Sequence, residues 1–183
     1  MHRAARTLAA TAGAAVMAAA LTTATAAAAA PAAPATGVKA SYNGTTIDLS
    51  KGWAGADVCS EDPSGAVRCE DAPTSDPGAV SAQGHITDCP EGWVCLWQFA
   101  GAEGRRLQWS AKGTKDLDDW GFRDRATGAM NRRIQYGFEL TDERRFQPDP
   151  HLYIPAGSYV NLSTVDYVWG GTWDNRVDKV AVL

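Results

Sequence analysis

Short runs of alternating apolar and polar residues, separated by frequent glycines and prolines, make up most of the chain. After the N-terminal segment, apolar residues do not recur at helical spacing for three turns, so the pattern predicts an all-β fold. The clearest alternation joins Ile134, Tyr136, Phe138 and Leu140, with polar or small residues between them. It predicts a strand with one buried face and one face in water.

The remaining strands predicted in the second half are similar short runs bounded by turn residues. Together with the run above, they cover residues 93–99, 105–109, 131–140, 152–154, 158–162, 167–169 and 176–182. Turn signals between these runs favour a sandwich of short antiparallel strands.

Two hairpins are predicted nearer the N-terminus. Asn43 and Gly44 separate strands at residues 38–42 and 45–49, and both residue types tolerate the positive φ angles of a two-residue turn. A second hairpin is expected across residues 61–65, with a cysteine on each of its arms.

Composition divides the chain into five segments. Residues 1–26 begin with basic residues, continue with an alanine-rich apolar stretch and end in small residues, which predicts a secretory signal peptide. Residues 27–36 read as a disordered Ala/Pro leader. Residues 37–72 are predicted to be a hairpin appendage, 73–85 a linker and 86–183 the main domain. No later run approaches the roughly 18 apolar residues of a spanning helix, so we expect a secreted protein.

The charge balance excludes some partner classes. The chain has 17 Lys and Arg against 21 Asp and Glu. The first 36 residues hold two of the basic residues and none of the acidic ones, so the rest carries 15 − 21 = −6. This disfavours nucleic acid and anionic membranes, which select a basic face. We expect a monomer that binds neither.

The cysteines number four, an even count that favours two disulfides in an exported protein. Three connectivities are open, and the short spacings favour Cys59 with Cys69 and Cys89 with Cys95.

Motifs for catalysis were not found. His85 and His151 lie far apart, and neither has a histidine or glutamate at helical metal-ligand spacing. The chain has no Gly-x-Ser-x-Gly elbow, no Walker loop and no dinucleotide-binding glycine motif. These features predict a binding protein without a cofactor, not an enzyme.

The most specific motif is Cys-Pro-Glu-Gly-Trp-Val-Cys-Leu-Trp at residues 89–97. It resembles the opening motif of secreted bacterial peptidase inhibitors typified by a metalloproteinase inhibitor (family I thirty-six). Residues 99–131 and 173–180 follow in the order that the two Greek-key motifs of such proteins would show. The resemblance implies a βγ-crystallin-like Greek-key sandwich, here with the small disulfide-clamped β-hairpin appendage, and a secreted protease as partner.

The resemblance also indicates where an inhibitory loop would lie. In characterised members the loop is in the second half and is pinned by a second disulfide, but this chain has no cysteine after Cys95. The corresponding region, residues 142–151, offers Arg144, Arg145 and Phe146, followed by two stiffening prolines. Peptidases of the thermolysin type favour a bulky apolar residue just after the cut, so Phe146 is the candidate anchor. The alternative is a solvated turn.

Calcium binding is a second hypothesis, since βγ-crystallin domains of the calcium type place oxygen ligands on two facing loops. Arg123 stands where the first ligand of one loop would be, which argues against the site. The alternative is that these residues make turn hydrogen bonds. The candidate ligands are Asp124, Thr127, Asp174, Asn175 and Asp178.

Two further surfaces offer binding roles, each with a structural alternative. Trp120, Trp169 and Trp173 would stack on cell-wall glycans if exposed, or would lie in the core. The hairpin between Cys59 and Cys69 resembles an inhibitory loop, although a stapled, solubilising hairpin is the favoured interpretation.

Overall fold

The structure is a computed structural model that describes residues 36–72 and 85–183. The predicted signal peptide, nearly all of the leader and all of the linker except its last residue lie outside the described residues. The described part contains no helix long and apolar enough to cross a membrane.

Short β-strands connected by turns and 3₁₀ segments make up the described chain, which confirms the all-β prediction. In chain order the strands are β1 Lys39–Tyr42, β2 Thr45–Asp48, β3 Val58–Glu61, β4 Val67–Glu70, β5 Val94–Phe99, β6 Glu103–Trp109, β7 Gly113–Asp116, β8 Gly128–Asn131, β9 Phe138–Thr141, β10 His151–Ile154, β11 Tyr159–Asn161 and β12 Lys179–Val182.

Two sheets result from the pairing of these strands. The large sheet has the order β11-β8-β5-β6-β3-β4-β1-β2, and the small sheet has the order β10-β9-β12-β7. Of the group β5–β8, only β7 lies in the small sheet; of the group β9–β12, only β11 lies in the large one. In each group of four, the third strand therefore pairs in the sheet that holds the other three strands of the other group. This arrangement is consistent with a crystallin-like fold.

The first four strands are continuous with the large sheet. β3 pairs in parallel with β6, with Cys59 opposite Leu107. Both predicted hairpins are present: β1 and β2 are joined by Asn43 and Gly44 at positive φ, and β3 pairs with β4. The division of the chain into appendage, linker and main domain stays a prediction.

One hydrophobic core lies between the sheets. It collects alternate residues of the small sheet, such as Phe138 and Leu140 of β9 and Val180 of β12, with Leu96 and Leu107 of the large sheet. These side chains are fully buried. The alternation in β9 and β12 follows from the two-residue period of a strand whose other face meets solvent.

The N-terminal segment adds large side chains to this core. The Trp53 indole N–H donates a hydrogen bond to the Trp120 carbonyl oxygen at 2.8 Å, and its ring stacks on Phe122 with centroids 5.7 Å apart. Between these two partners, Gly121 approaches the backbone of Leu49 so closely that a Cβ atom would lie 2.3 Å from the Leu49 carbonyl oxygen.

The predicted strand at residues 131–140 is wrong. β8 ends at Asn131 and β9 begins at Phe138, and the residues between them form a loop. Ile134 and Tyr136 are 92 % and 51 % exposed. The buried Asn131 side chain donates to the Tyr136 carbonyl oxygen at 3.0 Å and thereby stabilises a turn of the backbone. The alternation therefore begins four residues before the strand that it predicts.

The predicted strand at residues 167–169 is also wrong. The Gly170 N–H donates to the Tyr167 carbonyl oxygen at 2.9 Å, so the chain turns there. Gly170 has a φ of +90°, which lets this tight turn form. The sequence pattern also missed β7 and β8, two short strands without clear alternation.

Candidate functional site

The loop predicted from the resemblance connects β9 to β10 and is called the 142–150 loop below. Its ends meet, because the Asp142 N–H donates to the Pro150 carbonyl oxygen at 3.2 Å. At its tip the Phe146 side chain is 91 % exposed, and Arg145 beside it is also exposed. The loop therefore presents one bulky apolar and one basic side chain to solvent.

A buried network holds the first part of this loop. Asp142 is 4 % exposed, and its Oδ2 accepts hydrogen bonds at 2.6 Å from both the Arg144 guanidinium and the Tyr167 hydroxyl. The guanidinium also donates to the Tyr167 hydroxyl oxygen at 2.9 Å and 3.0 Å. Three side chains from two segments thus form a closed triangle under the loop.

Two members of this triangle have raised pKa values. Burial and the hydrogen bond to Asp142 raise the pKa of Tyr167, so its hydroxyl keeps its proton. The hydrogen bond to Tyr167 raises the pKa of Arg144. The Arg144 backbone N–H also donates to the Asp149 carboxylate across the loop at 2.6 Å. Of the three candidate residues, Arg144 therefore supports the loop from within, while Arg145 and Phe146 are displayed.

Glu143 ties the loop to the neighbouring strand region. Its N–H donates to Asp178 Oδ2 at 2.6 Å, and its carboxylate pairs with Lys179 at 2.5 Å and with Arg123 at 3.8 Å. Asp178 is 2 % exposed, and burial raises its pKa to about 6 despite the Arg123 guanidinium 2.6 Å away.

Tyr167 is the supporting residue that the sequence interpretation missed. Its ring packs edge-on against Trp169 and Trp173 with centroids 5.7 Å and 5.4 Å apart, and the Arg176 guanidinium lies 4.3 Å from its centroid. Tyr167 follows Asp142 by 25 residues, so no local pattern connects them.

Of the tryptophans considered for glycan stacking, two are core residues. Trp120 is 3 % exposed and Trp173 is 4 % exposed, whereas Trp169 is 45 % exposed. The core alternative left open by the sequence therefore describes Trp120 and Trp173, and a single exposed indole remains at this end of the fold.

Three of the five candidate calcium ligands, Thr127, Asp174 and Asp178, already pair with protein groups through their side chains. The Thr127 hydroxyl donates to Asp174 Oδ1 at 2.6 Å, and the Asn175 N–H donates to the Ala126 carbonyl oxygen at 3.0 Å. Asp124 sits at a φ of +55°, and Asp178 contacts Arg123. Among the described residues, no group of three or more His, Cys, Asp or Glu side chains is placed to hold a metal ion. The calcium site stays a prediction.

The cysteines form the two local disulfides that their spacing favours, Cys59–Cys69 and Cys89–Cys95. The first joins directly opposed residues of β3 and β4. The second closes the turn at residues 90–93 that leads into β5. Neither lies in the 142–150 loop.

The comparisons with known proteins agree with the resemblance. Residues 82–136 match the model of Peptidase inhibitor family I36. No curated protein and no solved structure matches the chain significantly. Because the matching family is one of peptidase inhibitors, it also agrees with the expectation that the chain is not an enzyme. Over residues 82–136, the chain is therefore similar to the peptidase inhibitors of this family.

Proposed function

We propose that this protein is a secreted inhibitor that binds a peptidase through the 142–150 loop, with Phe146 inserted in the specificity pocket of the enzyme. The observation that carries the proposal is the contrast within one loop. Phe146 is 91 % exposed at the tip, whereas Asp142 is 4 % exposed at the base and accepts two hydrogen bonds through its Oδ2.

Rigidity is what such a loop needs. Ordering the backbone of a flexible segment costs about 1–2 kcal/mol per residue, and an inhibitor that orders its loop only on binding loses this from its affinity. In this chain, the bonds of Asp142, Arg144 and Asp149 order the loop in the free protein. Pro148 and Pro150 restrict it further.

The chemistry of the tip indicates the class of pocket. Phe146 requires a deep apolar pocket, which the resemblance links to metallopeptidases of the thermolysin type. Arg145 places a positive charge beside it, although the protein as a whole is acidic. A cleft with an apolar pocket and acidic groups at its rim is therefore the best match in charge.

Substitution of Phe146 tests the proposal. Wild type, Phe146→Ala and the control Val168→Ala should be titrated against a panel of thermolysin-like metallopeptidases and serine peptidases. Val168 is an exposed apolar residue, at 68 %, outside the loop. A buried aromatic anchor contributes at least about 2 kcal/mol, so Phe146→Ala should raise the inhibition constant about 30-fold or more.

The same assay can contradict the proposal in two ways. Lack of inhibition by the wild type at micromolar concentration across the panel would remove the inhibitor function. Equal inhibition by wild type and Phe146→Ala would leave the function but exclude this loop as its carrier.

A further inference from the structure

A second loop of the molecule repeats the pattern of the first. The tetrapeptide Arg-Arg-apolar-Gln occurs at residues 132–135 as well as at 144–147, and Ile134 is 92 % exposed where Phe146 is 91 % exposed. We propose that residues 132–137, called the 132–137 loop, form a second peptidase-binding loop with Ile134 as its anchor. This inference rests on the proposed function of the 142–150 loop.

Exposure of the apolar residue, and not the tetrapeptide alone, distinguishes these two loops from other parts of the chain that carry the same pattern. The same residue pattern occurs a third time at residues 105–108, but there it lies in β6 and Leu107 is fully buried in the core. An isoleucine left almost entirely in water on a loop buries little apolar area and therefore adds little to stability. It is available to a partner in the same way as Phe146.

A buried amide fixes the backbone of the 132–137 loop. Asn131 is completely buried, its Oδ1 accepts the Arg133 N–H at 3.0 Å, and its Nδ2 donates to the carbonyl oxygens of Tyr136 at 3.0 Å and Ile154 at 3.2 Å. One side chain therefore binds both ends of the loop and the adjacent strand. Asp142 occupies the corresponding place under the 142–150 loop.

The turn closed by the Cys89–Cys95 disulfide holds the same loop from its other side. The Gly92 N–H donates to the Arg132 carbonyl oxygen at 3.0 Å, and the Arg132 N–H donates to the Trp93 carbonyl oxygen at 2.8 Å. The Arg132 guanidinium also pairs with Glu91 at 3.3 Å. The match to the inhibitor family covers this turn and extends to residue 136, so it includes Ile134.

The rear of the loop is packed against aromatic rings. Gly137 lies so close to the Tyr153 ring that a Cβ atom would be 2.1 Å from it. The Arg133 guanidinium lies 5.8 Å from the Tyr136 ring centroid and donates to the Leu183 carbonyl oxygen at 2.5 Å. These contacts leave Ile134 exposed on an ordered support.

The partner that fits this surface is a peptidase with an apolar pocket and an acidic rim. Arg133 and Lys112, whose ammonium group lies 4.7 Å from the Tyr136 centroid, give this face a positive charge in an acidic chain, whereas the charge of Arg132 is paired with Glu91. A branched aliphatic anchor of this size fits an enzyme that accepts isoleucine, whereas Phe146 requires room for a ring.

Both loops could be occupied at the same time. They adjoin opposite ends of β9, and five residue steps from 137 to 142 in extended chain span about 17 Å. The two loops are therefore separated by the length of this strand. Two enzyme molecules could therefore approach from opposite sides.

Stoichiometry tests the inference. Peptidases of the same panel, with their active-site concentrations known, should be titrated with the wild type, Ile134→Ala, Phe146→Ala and the double variant. The masses of the complexes should be measured by light scattering. Val168→Ala serves as the control, and thermal unfolding checks that each variant is folded. We expect two peptidase molecules per inhibitor for the wild type, one for each single variant, and loss of inhibition for the double variant. A panel in which the two loops select different enzymes should show each single variant losing only one of them.

The outcomes separate the two proposals. A 1:1 complex whose inhibition of every enzyme is abolished by Phe146→Ala and unchanged by Ile134→Ala would overturn the second loop and leave the first. Inhibition abolished by Ile134→Ala and unchanged by Phe146→Ala would overturn the first and keep the second. A wild type that inhibits no enzyme would overturn both.

Discussion

The Tyr167 hydroxyl is the group whose removal best tests how the 142–150 loop is ordered. Tyr167→Phe deletes one oxygen atom that donates to Asp142 at 2.6 Å and accepts from Arg144 at 2.9 Å and 3.0 Å. The substitution keeps the ring, and with it the edge contact to Trp173 and the stacking of Arg176. The variant therefore removes hydrogen bonds with almost no change in packing.

The size of the effect follows from the partners that remain. Asp142 keeps its hydrogen bond from Arg144 at 2.6 Å, so its buried charge is not left alone. What is lost is hydrogen bonding between a neutral hydroxyl and two charged groups. Because Asp142 and Arg144 keep their bond to each other, we expect the net loss to equal that of one hydrogen bond to a charged group, about 1.5–3 kcal/mol. For a domain of this size, each kcal/mol lowers the melting temperature by about 2–4 °C, which gives a decrease of about 3–12 °C.

Urea unfolding and amide hydrogen exchange measure the effect globally and in the loop. Tyr167→Phe should lower the unfolding midpoint, and the Arg144 amide that bonds to Asp149 should exchange faster than in the wild type. Tyr153→Phe is the control, because it removes the same hydroxyl group from a tyrosine that is 54 % exposed. If Tyr167→Phe unfolds within about 0.5 kcal/mol of the wild type and exchange is unchanged, the network does not order the loop.

Two other substitutions test the core and the buried charge. Gly121→Ala should destabilise the protein by more than about 2 kcal/mol, because at a φ of +61° its Cβ would lie 2.3 Å from the Leu49 carbonyl oxygen. The control is Gly157→Ala, whose φ is +73° and whose Cβ would meet nothing within 4 Å. Equal denaturation midpoints for the two variants would contradict this prediction. Burial raises the pKa of Asp178 from 3.8 to about 6, so the folded state binds its proton more tightly than the unfolded state does. Wild-type stability should therefore fall by about 1–3 kcal/mol as the pH rises from about 4 to about 6. Asp178→Asn should remove that fall, and parallel pH profiles for the two proteins would refute the assignment.

The sequence predicted the parts of the fold that depend on local pattern. Alternation located β9 and β12, and the Asn43–Gly44 turn gave the register of the first hairpin. Alternation failed between residues 131 and 138, since nothing in the sequence shows that the Asn131 side chain hydrogen-bonds the backbone there. The parallel pairing of β3 with β6 was equally invisible, because partners about 48 residues apart leave no local trace.

The candidate site stays a prediction, and the contacts that hold its loop were not foreseen from the sequence. The resemblance located residues 144–146, and exposure of Arg145 and Phe146 agrees with a binding role. Their neighbour Arg144 has the same residue type as Arg145, so only the structure shows that it points inward to Tyr167. The sequence also predicted that Ile134 would lie on a buried face, because a pattern of residue types does not show where a strand begins.

Different chemistry holds the two loops, and this has a functional consequence. The 132–137 loop is supported by the turn that the Cys89–Cys95 disulfide closes, whereas the 142–150 loop has no cysteine and relies on Asp142 and its partners. A disulfide typically contributes about 2–4 kcal/mol, and hydrogen bonds to charged groups contribute about 1.5–3 kcal/mol each, so the network is an adequate replacement. The disulfide is lost on reduction, but the network is not. Reducing conditions should therefore weaken binding through Ile134 while leaving binding through Phe146 intact.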